Sequence, residues 1–473
     1  MLFTGLRFLV KSFEFVLSLE RMDTRPKVAF YTLGCKLNFS ETAAISRRFE
    51  EEGYVKTGFE SVADVYVINT CSVTEQADKE CRRIVRSAQR LNPEAIICVV
   101  GCYAQLKPDA IAAIPGVDLV LGASDKFSIT QYLGGLTKTG QAQVHRCEVE
   151  AADSFVAAHS TGDRTRAFLK VQDGCDYPCT YCTIPFARGI SRSESLEKVV
   201  ESARNLGASG IREVVLTGVN IGDYGKGEFG NKRHEHTFLE LVQALDSVKE
   251  VERFRISSIE PNLVQPELID FVATSKRFAP HFHMPLQSGS NTILKLMRRR
   301  YLRELYAERV ERILTRMPHA CIGVDVITGF PGEGEEEFAE TAAFLRDLPV
   351  AYLHVFTYSE RADTPAASMP GAVPQKIRQQ RTRELRLLSA RKRLAYHTRF
   401  LQQPLLVLPE AEAKEGRMGG YTANYVRCTL PYNEKLINNP VWVKAARLDR
   451  HGNLEATLIS PVDHANAILQ EII

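Results

Sequence analysis

The chain has 473 residues, 44% hydrophobic and 25% charged, and at roughly 150 residues per domain two to four domains are expected. This ordinary mixture excludes a collagenous, disordered or disulfide-scaffold chain and leaves ample length for buried cores. A net charge of only +3 excludes a polybasic coating protein, and eleven cysteines, sparse and uneven, point to cytosolic thiols at metal-ligand spacing.

In residues 1–24 Arg7, Lys11 and Glu14 interrupt the apolar patches, so neither a membrane span of ~18 residues nor a signal peptide is expected. We read this segment as an extension outside the fold. Residues 25–135 form the first expected domain, with strands over Lys27–Gly34, Asp64–Asn69, Ala95–Gly101 and Asp118–Gly122. Helices are expected over Ser40–Glu52 and Thr74–Leu91, the first with Ser40 as N-cap and Glu41 in the first turn, where the helix dipole favours an anion. The alternation predicts a doubly wound parallel sheet with helices on both faces. Three of its strands end in cysteine: Cys35, Cys71 and Cys102. Parallel strands bring their carboxyl ends to one edge, so these three thiols are expected to meet there as a second metal site, iron–sulfur or zinc.

Residues 136–163 read as a linker, and residues 164–398 as a second alternation of strands and helices. Its strands are expected over Ala167–Gln172, Glu213–Thr217, Arg253–Ser257, His281–Pro285, Gly323–Thr328 and Tyr352–Thr357, a partial (β/α)6 barrel with its chemistry at the carboxyl ends. Helices are expected over Ser195–Leu206, Thr237–Val248 and Glu335–Leu348. Directly after the first strand comes Cys175-Asp-Tyr-Pro-Cys179-Thr-Tyr-Cys182. Three thiols wrapped this tightly suit a 4Fe-4S cluster with one iron left open. The alternative, structural zinc, wants four protein ligands, and no His or Cys lies close behind Cys182. Residues 376–399 are a helical run with nine Lys or Arg against one acid, either a solvated face or a phosphate-binding one. Residues 399–466 read as a small antiparallel barrel with strands over Pro404–Leu408, Gly420–Leu430, Val441–Leu448 and Leu454–Ile459. Cys81, Cys98, Cys147, Cys321 and Cys428 have no partner at ligand spacing and read as packing residues.

The stretches TLGCKLNFSE, ADVYVINTCSVT, VVGCYAQ and QDGCDYPCTYCTIPFARG resemble the radical methylthiotransferase family from Lys27 onward, and most closely its tRNA threonylcarbamoyladenosine branch. GYTANYVRCTL is similar to that family's RNA-binding TRAM domain; the stretch near Asn433–Pro440 and the amino-terminal extension depart from the pattern. The resemblance implies that Cys175, Cys179 and Cys182 hold a 4Fe-4S cluster that cleaves S-adenosylmethionine (SAM). It implies that Cys35, Cys71 and Cys102 hold an auxiliary 4Fe-4S cluster that supplies or carries the sulfur added to carbon 2 of a modified adenine. An unactivated aromatic carbon–hydrogen bond is beyond side-chain acid–base catalysis, so such a cofactor is chemically required. Candidate SAM contacts are Tyr181 in the cysteine loop, Gly218 and Asn220 after the second strand, and Ser258 and Glu260 after the third. Gln287 and Ser288 follow the fourth, and Gly329-Phe330-Pro331-Gly332 the fifth; each of these also suits a turn or packing role. Implied partners are a tRNA anticodon stem-loop and an electron donor such as flavodoxin or ferredoxin, with neither membrane nor DNA, in the cytoplasm. The basic helix and Arg298-Arg299-Arg300 suit phosphate contacts. The alternatives are the same chemistry on isopentenyladenosine in tRNA or on a ribosomal-protein aspartate, and a non-catalytic RNA-binding protein with structural metals.

Overall fold

Short apolar runs alternating with helices become, in the first domain, an all-parallel six-stranded sheet. The computed structural model describes residues 25–71, 75–134, 137–145, 155–160 and 165–460; the 1–24 extension and Cys147 lie outside them. The strands are β1 (Lys27–Thr32), β2 (Val55–Thr57), β3 (Val65–Thr70), β4 (Ile96–Gly101), β5 (Leu119–Leu121) and β6 (Gln143–His145), in the order β2-β1-β3-β4-β5-β6. Every residue of β3 is buried. Its alternate side chains feed two cores, Tyr66 and Ile68 on one face, Val65 and Val67 on the other, as a sheet covered on both sides requires.

Two expectations are corrected here. Part of the expected linker is β6, which pairs with β5 at the sheet edge. The first helix runs over Lys36–Glu51, four residues earlier than expected, with Cys35 as N-cap. Ser40 is therefore interior and donates its hydroxyl to the Leu37 carbonyl at 2.8 Å, while Glu41 is fully buried. Leu37 extends the apolar face of Ala44, Ile45 and Phe49, and that burial outweighs the capping preference of Ser40.

In the second domain β7 (Arg166–Lys170) is followed by a short hairpin, β8 (Gln172–Asp173) with β9 (Arg192–Ser193), that sequence periodicity did not signal. Then come β10 (Glu213–Thr217), β11 (Arg253–Ile256), β12 (His281–Gln287), β13 (Cys321–Thr328) and β14 (Tyr352–Thr357). They form two parallel three-stranded sheets, β11-β10-β7 and β12-β13-β14. Bridges from Phe254 to Phe278 and from Ser258 to His283 join them into one open arc. Helices begin where capping chemistry directs: Ser195 accepts from the Lys198 N–H, and Thr237 and Glu240 form a capping box.

The last five strands close into a barrel in the order β15-β16-β17-β19-β18. They are β15 (Pro404–Lys414), β16 (Arg417–Thr422), β17 (Arg427–Pro431), β18 (Val441–Leu448) and β19 (Leu454–Leu458). The expected single strand Gly420–Leu430 is thus two, reversing where Tyr425 takes φ 61° and Val426 N–H donates to the Thr422 hydroxyl at 2.9 Å. No helix among the described residues is long and apolar enough to cross a membrane.

The barrel is tied to the arc by a buried ionic knot. Glu213 accepts from Arg255 at 2.8 Å and Arg253 at 3.0 Å, and Arg255 also donates to the Ala423 carbonyl at 2.9 Å. Burial alone would raise the Glu213 pKa, but Arg255 and Arg253 hold it down to about 2. Its contribution is complete above the unfolded value of ~4.3 and is lost as pH falls toward the folded one. Glu213→Gln, which strands Arg255, is expected to cost about 3–5 kcal/mol in urea titrations at neutral pH. The difference from the parent should narrow below pH ~4.3; equal midpoints at pH 7 would refute the assignment.

Candidate functional site

The cysteine loop leaves β7 through Gln172, a fully buried side chain with five partners, the Ser191 hydroxyl at 3.0 Å among them. Its Nε2 donates to the Asp173 and Gly174 carbonyls, and its Oε1 accepts the N–H groups of Val219 and Asn220, each at 2.9 Å. One amide thus fixes the turn before Cys175 to the loop after β10, with Gly218 packed over it. Within the loop, Tyr177 N–H donates to the Cys175 sulfur at 3.4 Å and Ile184 N–H to the Cys182 sulfur at 3.5 Å. Arg299 donates to the Cys179 sulfur at 3.0 Å and to Tyr181 at 3.4 Å, and pairs with Glu260. Burial pushes the Cys175 and Cys182 thiols up to about 12 and raises Cys179 as well, with Arg299 opposing. Free, these thiols hold their protons; binding iron releases them.

The residues around the loop fit a cofactor bearing amino, carboxylate and hydroxyl groups. Both amide atoms of buried Asn220 and the hydroxyl of buried Ser257 lack a hydrogen-bond partner, an arrangement that costs free energy unless a ligand completes it. Glu260 faces the same three sulfurs, and Phe330 lies edge-on to Tyr181 at 6.2 Å. Other candidates serve the scaffold. Ser288 shares a hydrogen bond with Thr341, and Ser258 bridges to His283. Gln287 ends β12 with φ 68°. Gly329 has φ 76°, and its N–H is taken by Glu333 at 2.7 Å, so that donor is not open to an adenine.

The second thiol set sits at the facing edge of the first sheet. Thr70 pairs with Gly101 and Thr32 with Asn69, so Cys71 and Cys102 follow in register and Cys35 lies three residues beyond β1. Gly34 passes so close that a Cβ there would lie 2.9 Å from the Cys71 sulfur, and its φ of 103° also demands glycine. Asn38 locks the edge by donating to the Leu33 and Thr70 carbonyls at 2.8 and 3.0 Å. The Cys35 thiol is raised by burial and opposed by Arg188, with Cys102 among its neighbours. Sulfur ligands on a single metal ion crowd together, yet among the described residues the one trio with ligand atoms within 4.8 Å of one another is His283, Asp325 and His354. Neither cysteine set has the spacing of a mononuclear zinc site.

A buried ionic network joins the two halves. Arg188 donates to Asn38 at 2.7 Å, to Glu41 at 2.9 Å and to Asp173 at 3.0 Å. Lys126 pairs with Glu41 at 2.8 Å and Lys170 with Asp173 at 2.6 Å. Lys36 keeps solvent contact, but desolvation by the surrounding protein, then Arg166 and Arg255, lower its pKa to about 8.

The expected basic surface is divided. Arg378 and Arg381 are buried, paired with Glu360 and Glu333, while Lys376, Arg383, Arg391 and Arg393 remain exposed on helix Gln375–Thr398. Arg299 is turned onto the cysteine loop, whereas Arg298 and Arg300 stay exposed, Arg300 over the Tyr177 ring at 4.0 Å. Of the exposed helix cations, Arg393 borders a cleft of about 240 Å³ between arc and barrel, lined also by His354, Tyr421, Tyr425 and Arg427. Tyr421 and Tyr425 stack there at 4.6 Å, with Arg166 over the Tyr421 ring at 4.8 Å and Arg255 over the Tyr425 ring at 4.9 Å.

Residues 27–122 match the uncharacterized protein family UPF0004 and residues 169–345 the radical SAM superfamily. The chain is 41% identical to the threonylcarbamoyladenosine tRNA methylthiotransferase MtaB of Bacillus subtilis, over 88% of this chain and 93% of that protein. MtaB of Aquifex aeolicus is 39% identical, over 85% and 95% respectively. The tRNA-2-methylthio-N(6)-dimethylallyladenosine synthase of Methylacidiphilum infernorum is 29% identical, over 93% and 96%. Among solved structures, the radical SAM methyltransferase TsrM of Kitasatospora setae, with tryptophan and a SAM analog bound, has a TM-score of 0.53 at 15% identity, covering 95% of this chain and 89% of that one, a likeness of fold.

Proposed function

The chain belongs to the threonylcarbamoyladenosine tRNA methylthiotransferase family, and we propose that it methylthiolates carbon 2 of threonylcarbamoyladenosine beside the tRNA anticodon. It is a radical SAM enzyme whose cofactors are SAM and 4Fe-4S clusters. The observation that carries the reading is the pair of thiol sets joined across the domains by Arg188.

Cys175, Cys179 and Cys182 are the ligands we assign to the cluster that binds SAM, and Cys35, Cys71 and Cys102 those of the auxiliary cluster. With SAM bound and one electron supplied, the first cluster would break a carbon–sulfur bond of SAM, releasing methionine and leaving an adenosyl carbon radical able to take hydrogen from an aromatic carbon. The chain's own residues do the rest. Arg299 positions Cys179 and Glu260 together, Gln172 fixes the loop that presents Asn220, and Asn220 with Ser257 offers polar partners to SAM. The stacked tyrosines and exposed arginines of the cleft receive the splayed anticodon loop. An external one-electron donor of the flavodoxin or ferredoxin kind and a cytoplasmic location belong to the same reading.

Nucleoside mass spectrometry of tRNA from a deletion strain is expected to show loss of the 2-methylthio derivative and accumulation of threonylcarbamoyladenosine. An unchanged nucleoside profile, in a strain without a second such enzyme, rules the reading out. Anaerobically prepared protein is expected to carry about eight irons per chain, four for each cluster.

A further inference from the structure

Several side chains in the space between the domains take no part in holding a cluster. Lys36 is the first residue of helix Lys36–Glu51. Its charged neighbours are Arg166, Arg255, Asp325 and Glu213. Arg166 is committed to Glu410 at 2.7 Å and Arg255 to Glu213 at 2.8 Å. Lys36 makes no ion pair among the described residues, so it is the cation there without a fixed counter-ion.

Across from it, on the inner side of β12–β14, Asp325 Oδ1 lies 2.9 Å from His283 Nε2 and 3.3 Å from His354 Nδ1. Those contacts orient the His354 ring and leave its Nε2 without a partner among the described residues. The His354 side chain is 55% exposed. Phe356, two residues along the same face of β14, is 43% exposed. An aromatic face, a free imidazole edge and an unpaired ammonium suit a purine with an anionic arm.

We propose that Lys36 receives the carboxylate of the threonylcarbamoyl arm, with His354 as a second polar contact, and that this pair sets the choice of modified adenosine. The inference rests on the substrate reading above. An apolar arm in the same space would leave Lys36 desolvated and unpaired, and a site built for a charged partner rejects analogues that lack one.

The test uses full-length enzyme, reconstituted anaerobically, and synthetic anticodon stem-loops carrying threonylcarbamoyladenosine, its methyl ester or dimethylallyladenosine. The parent enzyme is expected to turn over the ester with kcat/KM roughly 10- to 100-fold below the acid. Lys36→Met, compared at equal iron content, should bring acid and ester within about threefold, while Lys36→Arg restores most of the preference. His354→Phe should lower turnover of the acid more than of the ester. Equal use of acid and ester by the parent enzyme overturns the proposal without any variant. Full preference retained in Lys36→Met also overturns it. Turnover of the dimethylallyl loop alone would instead defeat the substrate reading, and this assignment with it.

Discussion

Cys179→Ala is expected to abolish formation of 5′-deoxyadenosine, while Cys71→Ala spares part of it and removes methylthio transfer. The two residues differ in what surrounds them. Cys179 is the middle thiol of the loop, held by Arg299 at 3.0 Å beside Glu260, Tyr181 and the orphaned polar atoms of Asn220 and Ser257. On the proposed ligand assignment, removing it takes away one of the three thiols that hold the SAM-binding cluster. Cys71 belongs to the other edge, in the first domain, packed against Gly34. Chromatography that counts deoxyadenosine and methylthiolated nucleoside separately reads both outcomes. If Cys71→Ala stopped deoxyadenosine formation as completely as Cys179→Ala, the assignment of separate roles would be wrong.

Glu41→Gln is expected to destabilise the protein by about 3–5 kcal/mol, because it leaves buried cations without their partner. Glu41 is fully buried and accepts from Arg188 at 2.9 Å and Lys126 at 2.8 Å, with Lys170 at 3.4 Å. Burial would raise its pKa, yet Arg188, Lys126 and Lys170 together hold it well below the usual carboxylate range. This contribution is therefore present at every pH above the unfolded value of ~4.3 and is lost only in stronger acid. Because Lys126 comes from one domain and Arg188 from the other, methylthio transfer should fall further than SAM cleavage. Urea titration gives the first quantity and the ratio of the two products the second. A variant with unchanged midpoint and unchanged ratio would show that the network does not fix the domains against each other.

The cysteines were legible in sequence because each sits at a position that topology dictates. A strand end is a local pattern, and parallel pairing carries the rest, so three thiols about 30 residues apart are brought to one edge without any knowledge of side chains. The residues that organise them were not legible. Gln172 reads as an ordinary strand residue, and the two hydrogen bonds to its Oε1 exist only once the β10 loop arrives nearly fifty residues later. Arg299 was hidden by its neighbours: in a run of three arginines, charge density suggested a solvated phosphate site, whereas its φ-positive predecessor Arg298 marks a tight reversal that turns Arg299 inward. The start of the first helix was misplaced because Ser40 is a good cap by type, and only the burial of Leu37 shows that the helix is already under way. The split of Gly420–Leu430 into two strands rests on one left-handed residue, Tyr425, which is not a residue type that announces a turn.

Arg188 has one more implication. It lies six residues after Cys182 and grips Asn38, three residues after Cys35, so the gap between the two sulfur-bearing loops is gauged by a single guanidinium and the groups it clasps. The described part of the backbone between β6 and β7 supports it: His159 bridges to Leu169 of β7, and its carbonyl accepts from Arg47 of the first domain at 2.9 Å. The working distance inside the enzyme is thus held by contacts between folded parts, Arg188 and that strap alike.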